Sequence, residues 1–180
     1  GVFLVLRNWD SFAASMIDTL TPTGIAGYAL TLALVKIAHE FGHALTARHA
    51  GLRVPTMGVA FILAWPVLYT DTTDAWKLES RRARLSVTGA GMAVELVLAG
   101  LATLAWALLP EGPLRSAAFM LASLTWISTL AINLNPFMRF DGYYLFSDWL
   151  EVPNLQERSF ALARWWLRER CLALGDEVAE

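Results

Sequence analysis

The sequence predicts an all-α polytopic membrane protein with a core of three transmembrane helices, a short re-entrant β-hairpin and a C-terminal interfacial amphipathic helix. Of its 180 residues, 56% are hydrophobic and only 17% are charged, whereas about a quarter of the residues in a soluble domain are charged. The apolar residues also form long runs with almost no charge. This composition argues against a soluble enzyme, and the abundant aromatic residues exclude a disordered segment.

Three helices are predicted to cross the membrane. The first covers residues 23–50 and would be about 40 Å long, which exceeds the hydrocarbon thickness of about 30 Å. The second covers residues 85–109, where Glu95 is the single charged residue. The third covers residues 116–134 and ends before Pro136, because the residue preceding a proline disfavours helix.

Residues 54–70 are apolar but do not have the pattern of a helix. Pro55, Gly58 and Pro66 interrupt any helix, whereas the β-branched and aromatic residues between them favour strands. Non-helical backbone is tolerated at membrane depth only where protein or a wet cavity satisfies its hydrogen bonds. A short re-entrant hairpin is therefore predicted.

Residues 154–174 predict an amphipathic helix that follows Pro153. Asn154 and Glu157 form a capping-box pattern, and apolar side chains share one stripe opposite Arg164 and Arg168. A position at the membrane interface is favoured, and docking of this helix on the bundle is the alternative.

Basic residues predict the orientation of the chain. They are concentrated where the first helix ends and the second begins, which places that side in the cytoplasm by the positive-inside rule. The chain begins with Gly1 and is expected to be a single membrane-embedded domain, residues 1–180 with a core of 24–150, excised from a longer chain. The basic residues on the cytoplasmic side are Arg48, Arg53, Lys77, Arg81, Arg82, Arg84 and Arg139.

The first helix carries the motif His-Glu-Phe-Gly-His at residues 39–43. Histidines four residues apart lie on one helix face, so both imidazoles can reach one Zn²⁺ at about 2.0–2.1 Å. Glu40 is turned by about 100° from His39 and can act as general base on a zinc-activated water without ligating the metal. A surface helix with solvated side chains is the alternative. The depth of the motif weakens this alternative, because the motif lies about 14 Å from Arg48 and ionisable residues are costly inside the membrane.

A catalytic zinc usually has three protein ligands, so a third is expected. Asp141 is the best candidate, since the third helix returns to the side of the histidines and the chain can fold back after Pro136. Zn²⁺ with ionised Glu40 and Asp141 sums to zero charge, which suits a low-dielectric cavity. The alternative for Asp141 is a turn residue in an Asp-Gly sequence.

The two motifs in this order closely resemble the site-2 protease family of intramembrane zinc metalloproteases. The helical motif is followed by Asn133-x-x-Pro136-x-x-x-x-Asp141-Gly142, and the resemblance covers about residues 24–150. The string at residues 135–144 is similar to a bacterial branch found beside peptide-export or peptide-modification systems. The resemblance implies a location in the bacterial cell (inner) membrane, with the active site near the cytoplasmic side.

The resemblance also implies roles for individual residues. Asn133 would lie beside the scissile peptide, where its amide would hold the substrate backbone or the developing oxyanion. Residues 54–69 would offer an edge to an unwound peptide substrate. The implied zinc ligands are His39, His43 and Asp141, and the implied catalytic base is Glu40.

The second helix departs from the family pattern. Family members commonly have a Gly-x-x-x-Asn-like motif there, whereas in this sequence Gly91 is followed by Glu95. Three interpretations of Glu95 are open: an ion pair with Lys36, a hydrogen-bonded neutral acid near the site, and a group that orients a zinc-bound histidine. Pairing of Lys36 with Glu40, four residues further along the helix, is an alternative.

The leading hypothesis is a zinc metalloendopeptidase that hydrolyses peptide bonds within or beside the membrane. The expected partners are the lipid bilayer and a transmembrane or membrane-associated peptide, with peptide-export proteins as further candidates and no nucleic acid. A non-catalytic membrane scaffold or chaperone of a peptide-export or modification system is the alternative. A metal-ion transporter ranks last, because the sequence contains one visible cluster of ligands.

Overall fold

The computed structural model describes residues 6–7, 9–18, 21–62 and 64–172, and it is mostly helical with one antiparallel hairpin. Strands β1 (Met57–Ile62) and β2 (Trp65–Thr70) follow the longest helix, and a π-helical turn (Ser128–Asn133) follows α5. Helices α2, α4 and α5 pack against one another. The helices are α1 (Trp9–Asp18), α2 (Pro22–His49), α3 (Arg81–Thr88), α4 (Ala90–Leu108), α5 (Pro113–Ile127), α6 (Asp141–Leu150) and α7 (Leu155–Leu172).

Helix α2 confirms the first predicted helix to within one residue at each end. The Thr21 hydroxyl accepts a hydrogen bond from the Gly24 amide at 3.1 Å. Pro22 occupies the first turn, where its missing N–H leaves no hydrogen bond unmade. The helix ends before Gly51, whose φ of +84° lies in the left-handed region that favours glycine. The motif at residues 39–43 therefore lies well inside a continuous helix.

The second predicted helix is two helices, α3 and α4, separated at Gly89. The predicted start at residue 85 is wrong, because α3 begins earlier, at Arg81, where the Ser80 hydroxyl accepts a hydrogen bond from the Ala83 amide at 3.4 Å. The uncharged run around Gly89 contains no sequence signal strong enough to mark the division. Helix α4 keeps 19 residues, which is still long enough to cross a hydrocarbon core.

The third predicted helix is regular only up to Ile127. Beyond that residue the chain forms the π-helical turn, in which the Leu134 amide donates to the Thr129 carbonyl at 2.8 Å. This wider turn directs the buried side chains of Thr129 and Asn133 towards α4. Turns of this kind are frequent at functional sites.

Strands β1 and β2 form the predicted hairpin. Their register runs from Met57 opposite Thr70 to Ile62 opposite Trp65. The Thr70 hydroxyl donates a hydrogen bond to the Glu40 carbonyl at 3.1 Å, so the end of β2 is attached to the motif of α2. Insertion of the hairpin into the membrane stays a prediction.

Two helical stretches, Ala90–Leu108 and Pro113–Asn133, are long and apolar enough to cross a membrane. Helix α2 is not one of the two, since Lys36 and the polar residues of its motif lower its mean hydropathy. The predicted third span therefore stays a prediction.

Helix α7 confirms the predicted C-terminal helix, although residues 173 and 174 of that prediction lie outside the described residues. Its first turn is attached to the preceding segment: the Gln156 amide donates to the Tyr143 hydroxyl at 3.1 Å, and Arg139 contacts Glu157 at 3.0 Å. Further along, Phe160 and Trp166 are more than half exposed. The start of α7 is thus docked, and the interfacial position of the remainder stays a prediction.

An aromatic cluster fills the space between α1, α4 and α5. Phe119 lies 5.0 Å from Phe12 and 6.2 Å from Trp106, measured between ring centroids. Only 1% of the Phe119 surface is exposed. Packing of this kind stabilises helix association in lipid, where the hydrophobic driving force between helices is weak.

Replacing Phe119 with alanine should destabilise the fold by about 3–5 kcal/mol, because the substitution opens a cavity among the aromatic rings. The thermal unfolding midpoint of the detergent-purified protein measures this loss. Leu114→Ala is the matched control on the same helix, since Leu114 is 73% exposed. An equal effect of the two substitutions would show that the cluster does not stabilise the helix packing.

Candidate metal centre

The two motif histidines lie side by side on the buried face of α2. Because they are four residues apart, His39 and His43 project from one side of the helix, and their ring centroids are 4.8 Å apart. Both side chains are buried, and their Nε2 atoms are separated by 3.2 Å. This pair is the arrangement predicted from the sequence.

Asp141 joins the two histidines from the first residue of α6. Its Oδ2 atom lies 2.8 Å from Nε2 of His39 and 3.3 Å from Nε2 of His43. The three residues are the one group with the spacing of a metal site in residues 6–7, 9–18, 21–62 and 64–172. The structure therefore brings together the ligands predicted from segments almost a hundred residues apart.

The three donor atoms fit Zn²⁺ in both spacing and chemistry. A tetrahedral zinc with bonds of about 2.0–2.1 Å separates its ligand atoms by about 3.3 Å, close to the distances in the cluster. Nδ1 of His43 lies 2.8 Å from the Val87 carbonyl, which can only accept a hydrogen bond. This contact places the proton on Nδ1 and leaves the lone pair of Nε2 facing the cluster.

The Asp141 carboxyl faces both imidazoles through Oδ2. The carboxylate is the form that binds metals. The alternative interpretation of Asp141, a turn residue in an Asp-Gly sequence, does not account for these contacts.

Close backbone approaches at two glycines position the cluster. A Cβ atom on Gly91 of α4 would overlap Nε2 of both histidines, so only glycine fits against the face that bears them. A Cβ on Gly142 would lie 2.5 Å from the Asn133 carbonyl oxygen. From the sequence, Gly91 is recognisable only as part of a family motif, through its four-residue spacing from Glu95.

Glu95 lies at the centre of a buried polar network next to the cluster. Its Oε1 atom is 2.7 Å from Nζ of Lys36 and 2.9 Å from Nδ1 of His39. Its Oε2 atom accepts hydrogen bonds from the Thr129 hydroxyl at 2.6 Å and the Asn133 amide at 2.8 Å. The ion pair with Lys36 is confirmed, and the contact with His39 also supports the orienting interpretation.

Glu40 lies beside the cluster and is half-buried. It lines a cavity of about 200 Å³ together with His43, Tyr69, Thr70 and Asp141. A second cavity, of about 700 Å³, also reaches His43 and Asp141 and borders the hairpin at the end of β2, at Tyr69 and Thr70. These cavities leave room for water and for a peptide next to the donor atoms.

The chain matches the profile of peptidase family M50 over residues 27–129. It belongs to this family, the site-2 protease family of metallopeptidases. Comparison with curated proteins finds no match, and comparison with solved structures finds none either. The family match includes the histidine motif, most of α2 and all of α4. It ends before Asn133 and Asp141, so the contribution of Asp141 to this M50 domain rests on the geometry of the cluster.

The substitution Gly91→Ala should lower the zinc affinity of the M50 domain by at least about 10-fold, because the added methyl group displaces both ligating nitrogens. Competition with a chromophoric chelator measures this affinity in detergent.

Gly100→Ala is the matched control for Gly91→Ala, since it adds the same methyl group to the same helix in open space. Unchanged zinc affinity in Gly91→Ala would contradict the assignment of the cluster as the metal site.

Proposed function

We propose that this M50 domain is an intramembrane zinc metalloendopeptidase that hydrolyses peptide bonds of transmembrane or membrane-associated substrates. The observation that carries this proposal is the convergence of His39, His43 and Asp141 on one point, with Glu40 lining the adjoining cavity. These four residues make up the donor set and the base of a zinc peptidase.

Zinc bound at this cluster would act as a Lewis acid towards the scissile carbonyl group and lower the pKa of water. Glu40 removes a proton from the attacking water as the new C–O bond forms. It then delivers a proton to the leaving nitrogen as the C–N bond breaks. Its place in the cavity wall, one residue after His39, supports this role.

Asn133 is proposed to hold the substrate backbone or the developing oxyanion. One N–H of its amide is used by Glu95, which leaves the second N–H for a ligand. The backbone carbonyl of Asn133 lies against Gly142, the residue that follows Asp141. A group that stabilises an oxyanion must be fixed before the reaction, and the contact with Glu95 supplies that restraint.

The helix bundle is proposed to lie in the lipid bilayer. Exposed apolar side chains follow one face of α2 over four turns, and contiguous exposed apolar surface of this kind marks contact with a membrane or a partner. This stripe supports α2 as the third span, despite its polar motif. Its members are Leu30, Leu34, Ile37, Phe41 and Leu45.

The hairpin is the proposed docking edge for a substrate. A helical peptide must unwind before its amide can be attacked, and an exposed strand can pair with the unwound segment. The attachment of Thr70 to the Glu40 carbonyl holds β2 beside the motif, and Tyr69 lines both cavities. A cytoplasmic site in a bacterial inner membrane, with peptide-export proteins as partners, completes the proposal.

Replacing Glu40 with glutamine should reduce cleavage of a candidate membrane peptide by about 100-fold or more, because the amide cannot accept the proton. Zinc content should stay that of the wild type. Reconstituted vesicles and mass spectrometry of the products measure the rate.

The control for Glu40→Gln is Glu111→Gln, since Glu111 is exposed in the loop between α4 and α5. Persistent cleavage by Glu40→Gln would remove Glu40 from the proposed role. Zinc at one equivalent, with no cleavage of any candidate peptide by the wild type, would favour the scaffold alternative.

Purified protein should contain about one zinc ion per chain, and His43→Ala should lose most of it because two protein ligands hold zinc poorly. Inductively coupled plasma mass spectrometry gives the stoichiometry. His49→Ala is the matched control, as His49 is exposed on the same helix. Equal zinc content in His43→Ala and the wild type would contradict the site.

A further inference from the structure

We propose that Glu95 is a positioning residue of the metal centre, whose two carboxylate oxygens fix the imidazole of His39 and the amide of Asn133 at the same time. This inference rests on the proposed function, because it assigns the cluster to a metal. It concerns a residue that lies outside the cluster and whose place in the family pattern is usually taken by another side chain.

The contacts of Glu95 divide evenly between two structural elements. Oε1 faces α2, where it meets Lys36 and His39, which are one turn apart. Oε2 faces the π-helical turn, where it accepts hydrogen bonds from Thr129 and Asn133. The side chain therefore joins the helix that bears two ligands to the turn that leads to the third.

The burial of Glu95 indicates a specific requirement for its carboxylate. Its exposed fraction is 0%, although burying a charge is costly unless donors satisfy it. A carboxylate offers about four acceptor sites, and this one accepts three hydrogen bonds and lies 2.9 Å from Nδ1 of His39. A glutamine in its place would present N–H groups to one of the two donor pairs, so it could satisfy only one side.

The contact with His39 connects this network to metal binding. Oε1 lies 2.9 Å from Nδ1 of His39 without the alignment of a hydrogen bond, and its negative charge favours a proton on Nδ1, which leaves Nε2 to face Asp141. His43 receives the equivalent restraint from the Val87 carbonyl. Each histidine of the pair thus has its own oxygen atom beside Nδ1, and the one that Glu95 supplies is charged.

If Glu95 only formed an ion pair with Lys36, its role would be purely structural. This structural role and the positioning role predict different effects of substitutions. If Glu95 only neutralises Lys36, removal of either partner should have the same effect on the protein. If Glu95 positions His39, removal of the carboxylate should weaken zinc binding, whereas removal of Lys36 should leave the contact of Oε1 with His39 intact.

The test measures zinc affinity of the full chain in detergent by chelator competition, for the wild type, Glu95→Gln and Lys36→Gln. We expect Glu95→Gln to weaken zinc binding by about 10- to 100-fold, the usual effect of losing the partner of a ligating histidine. Lys36→Gln should keep the affinity of the wild type. Equal zinc affinities for Glu95→Gln and the wild type, or equal losses in both variants, would overturn the proposal.

Thr103→Val controls for the loss of a buried polar contact elsewhere on α4. The Thr103 hydroxyl is buried and accepts a hydrogen bond from Trp126 at 3.0 Å. This variant should bind zinc like the wild type, and a loss equal to that of Glu95→Gln would assign the effect to general damage.

Two further comparisons keep the outcomes distinct. If Glu95→Gln does not fold, the charge-balanced double variant Lys36→Gln/Glu95→Gln is compared with Lys36→Gln, and the same loss of zinc affinity is expected. If the wild type binds no zinc, both proposals fail. If the wild type binds zinc and Glu40→Gln abolishes cleavage while Glu95→Gln binds zinc normally, only the positioning proposal fails.

Discussion

The close approach of α4 to α2 at Gly91 is the constraint on which the candidate metal centre depends. The backbone of α4 lies so near the two histidines that no side chain fits between them. This approach brings Glu95, one turn further along α4, within 2.9 Å of Nδ1 of His39. A larger residue at position 91 would separate the helices, and the separation would disturb the ligands and the network behind them together.

Buried charge in this protein is compensated locally. Glu95 is paired with Lys36 and receives two further hydrogen bonds from the π-helical turn. Asp141 faces the two histidines, where a divalent cation would balance its charge and that of Glu40. Because uncompensated charge is expensive in a low-dielectric environment, these pairings explain how several ionisable groups are retained within an apolar bundle. The same arrangement keeps the donor atoms facing one point.

The hairpin and the cavities give this centre an accessible side. The Thr70 contact attaches β2 to the backbone carbonyl of the residue proposed as base, and the larger cavity extends from the cluster past the end of β2. The buried network of Glu95 lies on another side, where it holds His39 and Asn133. Restraint on one side and access on the other are what a hydrolytic site requires, since the reacting groups must be fixed while water and peptide enter.

The local chemistry of this protein was readable from its sequence. The bounds of α2, the hairpin and the pairing of His39 with His43 follow from periodicity, turn residues and ligand chemistry, which act over a few residues. The prediction of Asp141 as a ligand depends in addition on the return of the third helix to the side of the histidines. The tertiary structure decided the division at Gly89, the π-helical turn and the simultaneous contacts of Glu95 with Lys36, His39 and Asn133. These features depend on how closely helices pack, and that distance is set by side chains far apart in the chain. For the same reason, the sequence leaves three interpretations of Glu95 open, and only the packing of α2, α4 and the turn determines which side chains its carboxylate contacts.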